Sequence, residues 1–215
     1  MKINVKGTVI SDAYAWIYDY FKEPYVSPSK VHDALEEAGG EDVDIYINSG
    51  GGDVFAGSEI YSAIRDYKGS VKIHVVGLAA SAASMIACAA KSDITPTGQF
   101  MVHNVRTFTA GDYREMDHTS EMLRQANRAI AAAYTSKTKM TEADALELMD
   151  AETWLTASDA VGWGLIDEIS ENQNANNQTG DEDDLRMAAA AGRMIPASVI
   201  DKMLAKQQEL IEYFS

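Results

Sequence analysis

Cysteine, basic side chains and long apolar runs are all scarce in this chain of 215 residues. Its single cysteine, Cys88, has no partner for an internal disulfide, which is typical of proteins kept in a reducing cytoplasm. Lysine and arginine number 18 against 33 aspartate and glutamate residues, and the net charge of −15 argues against a nucleic-acid partner, because phosphate contacts need a basic surface. No apolar run reaches the roughly 18 residues that a membrane span needs. We therefore expect a cytoplasmic protein with neither nucleic-acid nor membrane partners.

Hydrophobic residues make up 46% of the chain, which is enough for one sizeable core. Strand-like stretches alternate with helical ones over residues 1–170, and this alternation predicts an α/β fold with a mainly parallel sheet. The stretch Met1–Gly7 predicts a short strand. It lacks the apolar stretch and the small-residue cleavage site of a signal peptide. Ser27, followed by Pro28, predicts the start of a helix. A long helix with a polar face is predicted over residues 113–137.

The composition changes after Ile169. Residues 171–184 are rich in asparagine, glutamine and acid, with little to bury, so they predict a linker. Residues 185–215 place apolar side chains at helical spacing and predict a helical tail that packs on a neighbour or needs a partner. Between Met140 and Leu185 there is no lysine or arginine, which indicates a solvated acidic surface or, less simply, a docking patch for a basic partner.

A glycine-rich turn, Asn48–Asp53, follows the strand predicted at residues 43–47. Three consecutive glycines leave the backbone free of side chains, so amide N–H groups can approach a ligand closely. Such a turn can cradle a phosphate, form an oxyanion hole or simply reverse the chain. The phosphate interpretation is disfavoured because neither a P-loop nor a dinucleotide-binding pattern is present.

A second junction between a strand and a helix contains Ser81, between the strand predicted at residues 71–76 and a run of small residues, Ala79–Ala90, of helical length. Backbone N–H groups point outward at a helix N-terminus, and the helix dipole there favours negative charge. The N–H of Ala82 is therefore able to bind an acyl oxyanion formed by attack of Ser81. An N-cap serine is the competing interpretation, and no Gly-x-Ser-x-Gly elbow is present.

A serine nucleophile needs a general base and an acidic residue to orient that base. His103 follows a predicted strand beside the same edge of the sheet as Ser81, which makes it the best candidate for the base. His32 is predicted on a helix surface, His74 inside a strand and His118 in the middle of the long helix. The acidic residues are too numerous for composition to select one.

Four segments, in this order, resemble motifs of the ClpP peptidase family and together cover roughly residues 1–170. The segments are a glycine-rich loop with its helix, a nucleophile segment, a histidine strand and a third-residue region: Tyr46–Tyr61, Gly77–Ser81, Met101–Asn104 and Glu152–Asp167. The first two are most similar to the phage and prophage branch, often called head maturation or ClpP-like proteases. The resemblance implies a crotonase-like α/β fold with a protruding handle helix at residues 113–137.

The resemblance also implies roles for individual residues. Ser81 matches the family's nucleophile and His103 its general base. The amides of Gly52 and Ala82 match its oxyanion hole. Ser84 falls where the family has a small packing residue.

The third member of the triad departs from the family pattern. The family has aspartate shortly before an aromatic residue, and alignment on Trp154 puts Glu152 at that position. Asp150, two residues earlier, is the rival. Glutamate can orient a histidine as aspartate does, with a slightly longer reach.

The resemblance further implies a homo-oligomeric ring, commonly heptameric, or a stacked double ring that encloses the sites. Two rings would meet through the helix at residues 113–137, with a contact stripe formed by Met116, Leu123, Ile130 and Tyr134. The substrate would be a protein or peptide, in the phage branch a capsid or scaffold protein. The chain has no ATPase motif, so any unfolding motor would be a separate protein, and no cofactor or metal is expected.

Two further functions fit the same elements. A crotonase-type enzyme acting on acyl-CoA would share the sheet and the oxyanion hole but would rely on glutamate or aspartate, and the pairing of Ser81 with His103 argues against it. A catalytically inert assembly protein would use residues 171–184 and the tail as its working parts.

Overall fold

The computed structural model describes residues 1–170 and 195–214. The linker predicted at residues 171–184 and the first ten residues of the predicted tail lie outside the described residues. In chain order the elements are β1 (Lys2–Val9), a 3₁₀ turn (Asp12–Tyr14), α1 (Ala15–Phe21), β2 (Tyr25–Val26), α2 (Pro28–Ala38), β3 (Val43–Gly52), α3 (Val54–Asp66), β4 (Val71–Ala80), α4 (Ala82–Ala87), β5 (Lys91–Ile94), β6 (Gln99–Val102), α5 (Tyr113–Lys137), α6 (Glu142–Asp150), β7 (Thr153–Thr156), α7 (Ala157–Gly162), β8 (Glu168–Ile169) and α8 (Ala197–Phe214).

The described strands form one sheet in the order β2-β1-β3-β4-β5-β8. Strand β4 has two neighbours on one side, because its first half pairs with β5 and its last three residues pair with β6. All pairings are parallel except that of β6 with β7, which is antiparallel. The prediction of an α/β fold with a mainly parallel sheet and flanking helices is therefore confirmed.

The core lies on one face of this sheet. Strand β3 alternates strictly, with Val43, Ile45 and Ile47 buried and the side chains between them facing outward. Helices α2, α3 and α4 cover the buried face with apolar side chains from the same cluster. This arrangement leaves the opposite face polar and puts the carboxyl ends of the central strands at a common edge.

The polar face of the sheet contains His74, which lies inside strand β4, as predicted, and is buried. Its Nδ1 lies 2.9 Å from a carboxylate oxygen of Asp93, and its Nε2 lies 3.1 Å from Asp44. The ring of Tyr46 stacks on the imidazole, and Lys72 bridges to Asp93 at 3.0 Å. His74 thus belongs to a structural charge cluster and lies in the sheet rather than at its active edge.

Two predicted boundaries were wrong around runs of small residues. Strand β3 continues to Gly52, so Asn48–Gly52, predicted as a turn, is the end of a strand that pairs with β1. The helix predicted at residues 79–90 comprises only Ala82–Ala87, because Leu78–Ala80 pair with β6 as the end of strand β4. A run of small apolar residues has no periodicity that separates strand from helix. The strand β5 was not predicted.

Helix α5 spans Tyr113–Lys137, as predicted, and begins with a capping box of Asp112 and Glu115. Its buried residues all lie in the last turns of the helix. Ile130 and Tyr134 are among them and pack in the core of their own chain, so half of the predicted contact stripe was wrong.

The helical tail packs on its own chain. Ile195, Val199 and Met203 contact a second apolar cluster built around Ile17 and Tyr18 of α1. The aromatic segment of α1 thus provides an apolar surface for this tail within the same molecule. Within residues 1–170 and 195–214, no helix has both the length and the apolar character required to cross a membrane.

Candidate active site

Ser81 lies at the carboxyl end of β4 and is the N-cap residue of α4. Its backbone has φ 55° and ψ −126°, a conformation that residues with a side chain rarely adopt. The Ser81 N–H donates to the carbonyl of Met101 at 3.0 Å, so the end of β6 helps to fix this turn. A strained serine at a sharp turn between a strand and a helix projects its hydroxyl away from the sheet, even though the Gly-x-Ser-x-Gly pattern is missing.

His103 lies beside Ser81 because strands β4 and β6 run parallel. Ala80 pairs with Met101, so the two strands end at the same level of the sheet. His103 is the first residue after β6. The Nε2 atom of His103 lies 2.8 Å from Oγ of Ser81, within hydrogen-bond distance. The structure thus brings together the serine and histidine that the sequence singled out.

The surroundings of His103 favour its neutral form. Burial lowers the pKa of His103, and the charge of Arg106 lowers it further, while Glu152 acts in the opposite direction. At pH 7 the imidazole is therefore unprotonated and able to accept a proton from the hydroxyl at its Nε2.

The structure does not bring either candidate acid into contact with the histidine. Glu152 forms an ion pair with Arg106, and Asp150 accepts a hydrogen bond from Nδ2 of Asn104 at 2.7 Å. The Nδ1 atom of His103 is buried and has no hydrogen-bond partner within the described part of the chain. The arrangement of a complete triad is thus absent among the described residues.

The strand register nevertheless distinguishes the two acids. Strands β6 and β7 are antiparallel, with Val102 opposite Thr153. His103 and Glu152 are the next residues along the two strands, just beyond this last pair, and Glu152 has φ 48° and so lies outside the extended strand. Asp150 is two residues more distant, at the end of α6.

The glycine-rich end of β3 approaches the backbone at the start of α4 closely. Ala82 is the first residue of α4, and N–H groups at a helix start have no partner within the helix. At Gly51, with φ 86°, a Cβ atom would lie 2.7 Å from Cβ of Ser81 and 2.8 Å from N of Ala82, so only glycine fits. A Cβ atom on Gly52 would instead collide with the carbonyl of Val9, at 2.1 Å.

Two further hydroxyl groups stand behind Ser81. The Oγ atom of Ser84 lies 2.6 Å from the carbonyl oxygen of Ser81 and 2.8 Å from the hydroxyl of Tyr134. Burial raises the pKa of Tyr134, so its hydroxyl stays protonated. The sequence analysis assigned Ser84 to packing and Tyr134 to a subunit contact. The two residues are 50 positions apart, so no local pattern indicates that they are in contact.

The protein is thus an α/β protein with a mainly parallel sheet. Its hydrogen-bonded serine and histidine lie where the two parallel strands β4 and β6 end. The sequence profile of the Clp protease family matches residues 33–173. The chain therefore belongs to the Clp protease family, as the resemblance of its motifs predicted.

Two relatives and one solved structure are similar to this chain. The ATP-dependent Clp protease proteolytic subunit of Chlorella vulgaris is 32% identical over 129 residues, which are 59% of this chain and 64% of the relative. The ATP-dependent Clp protease proteolytic subunit 2 of Treponema denticola is 32% identical over 132 residues, 60% of this chain and 66% of the relative. The chain thus spans slightly less than two thirds of the length of either.

The solved structure of a ClpP1 mutant from Listeria monocytogenes superimposes with a TM-score of 0.65. The two chains are 24% identical, and the match covers 80% of this chain and 92% of the other. This likeness confirms that the fold is ClpP-like.

Proposed function

We propose that this chain is a serine peptidase that cleaves peptide bonds through an acyl-enzyme on Ser81. The hydrogen bond of 2.8 Å between Oγ of Ser81 and Nε2 of His103 is the observation on which the proposal rests. Membership of the Clp protease family supports the reaction class. The lowered pKa of His103 supports its part as the general base.

In the proposed reaction, Oγ of Ser81 attacks the carbonyl carbon of the scissile bond and gives its proton to Nε2 of His103. The carbonyl oxygen becomes an oxyanion that accepts hydrogen bonds from the N–H groups of Gly52 and Ala82. The C–N bond then breaks, and the imidazolium returns its proton to the leaving amine. Water attacks the acyl-enzyme with His103 as base, which releases the acid and restores the serine hydroxyl.

Glu152 is proposed as the residue that orients His103. Glu152 adjoins Thr153, which pairs with the residue before His103, and its charge already raises the pKa of that imidazole against the other influences. To accept a hydrogen bond from Nδ1–H, the carboxylate has to leave Arg106, which it binds here. Asp150 is the rival, and its carboxylate accepts a hydrogen bond from Nδ2 of Asn104 instead of binding the base.

The substrate class, assembly and setting are part of the same proposal. We infer a homo-oligomeric ring or double ring that acts on protein or peptide substrates in the cytoplasm. Its support is the exposed first half of α5 and the loop before it, where Phe108, Tyr113, Met116 and Met122 are all exposed. Peptidolysis would be ATP-independent or assisted by a separate ATPase, and a phage capsid or scaffold protein is the proposed natural substrate.

A catalytically inert assembly protein is the second candidate, because one observation favours it. The ion pair between Glu152 and Arg106 leaves Nδ1 of His103 without a partner among the described residues. A site that stayed in this arrangement would lack the third member of its triad and would react slowly.

Covalent labelling separates these candidates. A fluorophosphonate probe is expected to label the wild-type chain at Ser81 and to leave Ser81→Ala unlabelled, because only an activated serine attacks phosphorus. Ser62→Ala is the matched control, since this exposed serine donates only to the carbonyl of Ser58 within its own helix, and its labelling should equal that of the wild type. Equal labelling of the wild type and Ser81→Ala would contradict the proposal.

A further inference from the structure

A row of buried hydroxyl groups runs from helix α5 to the backbone of Ser81. The hydroxyl of Tyr134 lies 2.8 Å from Oγ of Ser84, and that Oγ lies 2.6 Å from the carbonyl oxygen of Ser81. Ser84 is 0% exposed and Tyr134 is 2% exposed. Both groups therefore face the rear of the turn, away from any substrate.

The chemistry of these groups fixes the direction of every hydrogen bond. The carbonyl oxygen of Ser81 can only accept, so the single O–H of Ser84 has to donate to it. The oxygen of Ser84 is then left as an acceptor, and the O–H of Tyr134 donates to it. The row is thus a chain of donors that begins at Tyr134 and ends at the carbonyl of Ser81.

The carbonyl of Ser81 and the N–H of Ala82 belong to the same peptide group. Because that group is planar, fixing its oxygen also fixes the direction in which its N–H points. The backbone N–H groups of Ser84 and Met85 donate to the same oxygen, at 3.0 and 3.4 Å. Hydrogen bonds in such a chain polarise one another, and polarisation at the oxygen makes the N–H at the other end a stronger donor.

The strained backbone of Ser81 needs such support. A φ of 55° at a residue with a side chain persists only where the surroundings over-determine it. Gly51 closes the other side of the same peptide, since a Cβ atom there would meet N of Ala82 at 2.8 Å. The peptide is therefore held between the glycine-rich end of β3 on one side and the hydroxyl chain on the other.

We propose that Ser84 and Tyr134 are positioning residues that orient and polarise the peptide group between Ser81 and Ala82. This inference rests on the proposed function, because it makes the N–H of Ala82 a preorganised donor to the oxyanion. Neither side chain touches the substrate. Their effect should therefore appear in the transition state rather than in substrate binding.

The test compares Tyr134→Phe and Ser84→Ala with the wild type in hydrolysis of a fluorogenic peptide. We expect kcat to fall roughly 3-fold for Tyr134→Phe and roughly 10-fold for Ser84→Ala, with KM nearly unchanged, a loss confined to the transition state. The double variant should equal Ser84→Ala in kcat, since the serine is the link through which the tyrosine acts. Its melting temperature should exceed that of Ser84→Ala, which leaves the tyrosine hydroxyl buried and unpaired.

Tyr18→Phe is the matched control. Tyr18 is also fully buried, and its hydroxyl bonds to Thr8 and to the backbone of Ile195, in the second apolar cluster. It should lose stability like Tyr134→Phe but keep the wild-type kcat. If Tyr134→Phe and Tyr18→Phe both had the kcat of the wild type, the inference would be overturned, and Tyr134 would have only a packing role.

A second readout does not depend on turnover. In ¹⁵N-labelled protein, the amide proton of Ala82 should shift upfield in Tyr134→Phe and in Ser84→Ala, but not in Tyr18→Phe, because a less polarised N–H is less deshielded. An unchanged Ala82 resonance would overturn the inference. Failure of the wild type to react with a fluorophosphonate, with the Ala82 shifts as expected, would instead overturn the proposed function.

Discussion

At the scale of single residues, two side chains of the proposed triad are within hydrogen-bond distance of each other, and the third is bound elsewhere. Ser81 and His103 lie within hydrogen-bond distance, and the imidazole is neutral at pH 7 because burial and Arg106 lower its pKa. Glu152 and His103 directly adjoin the last pair of strands β7 and β6, but Glu152 binds Arg106. Arg106 thus competes with the histidine for the carboxylate, and the proposed triad is completed only when Glu152 moves across.

Substitution of the two acids tests this assignment. Glu152→Ala is expected to lower kcat by about 10²-fold or more, because loss of the orienting acid leaves the histidine free to adopt the wrong tautomer. Asp150→Ala should change kcat only a few-fold, since Asp150 supports Asn104 rather than the base. Steady-state hydrolysis of a fluorogenic peptide measures both.

Arg106→Ala is the control for this pair of variants. It releases Glu152 without removing the carboxylate, so kcat should be retained or should rise. A larger loss from Asp150→Ala than from Glu152→Ala would assign the acid to Asp150.

The sequence predicted this site in part, and the reason is geometric. Ser81 and His103 could be paired because each follows a strand of one parallel sheet, and such strands end at a common edge. The ion pair of Arg106 with Glu152, and the contact of Ser84 with Tyr134, connect residues 46 and 50 positions apart. No local periodicity encodes such contacts, so they emerge only from the packed structure.

At the scale of elements, the boundaries that could be predicted are those with a local chemical signal. Helix α2 begins at Pro28 after Ser27 and ends at Gly39, where φ is 58°. Helix α4 was predicted too long, because the small residues of Leu78–Ala80 complete strand β4 by pairing with β6. The residue types of this segment are compatible with either strand or helix, and pairing with β6 makes it a strand.

The polar face of the sheet gives a prediction about stability and pH. The hydrogen bond to Asp93 raises the pKa of His74 despite burial, and Asp44 adds to this effect. Since the folded-state pKa lies above the unfolded value of about 6.5, the stabilisation is fully present below that pH and is lost as pH rises through the raised pKa. Besides these two carboxylates, the charged or titratable groups close to the imidazole are Lys72, which pairs with Asp93, and Tyr46, which stacks on the ring.

His74→Gln should therefore remove the pH-dependent part of this stabilisation. The difference in free energy of unfolding between wild type and variant is expected to be roughly 1–3 kcal/mol at pH 6, the usual range for a buried polar group left unpaired, and smaller at pH 8.5. Urea unfolding at the two pH values measures it. A difference that is the same at both values would mean that the pKa of His74 is not raised in the folded protein. His32→Gln is the control, because this exposed histidine pairs only with Glu36 on the surface of α2.

At the scale of the whole molecule, the sheet, the long helix and the tail each have a separate task. The sheet sets the ends of β4 and β6 side by side, and the last turns of α5 insert Tyr134 behind them. The first half of α5 projects exposed apolar side chains that suit contact between subunits. Helix α8 covers the apolar side of α1. The molecule therefore separates its proposed chemistry from its proposed assembly surface.

The central claim is that Ser81 reacts because neutral His103 accepts its proton. Its most direct measurement is the rate of fluorophosphonate labelling at Ser81 between pH 4.5 and 8, located by peptide mass mapping. Because burial and Arg106 lower the pKa of His103, we expect a single titration with a midpoint below the usual value of about 6.5. The rate should fall as pH falls through that midpoint, and His103→Ala should abolish both the titration and nearly all labelling. Labelling of Ser81 that is independent of pH, or equally fast in His103→Ala, would contradict the account.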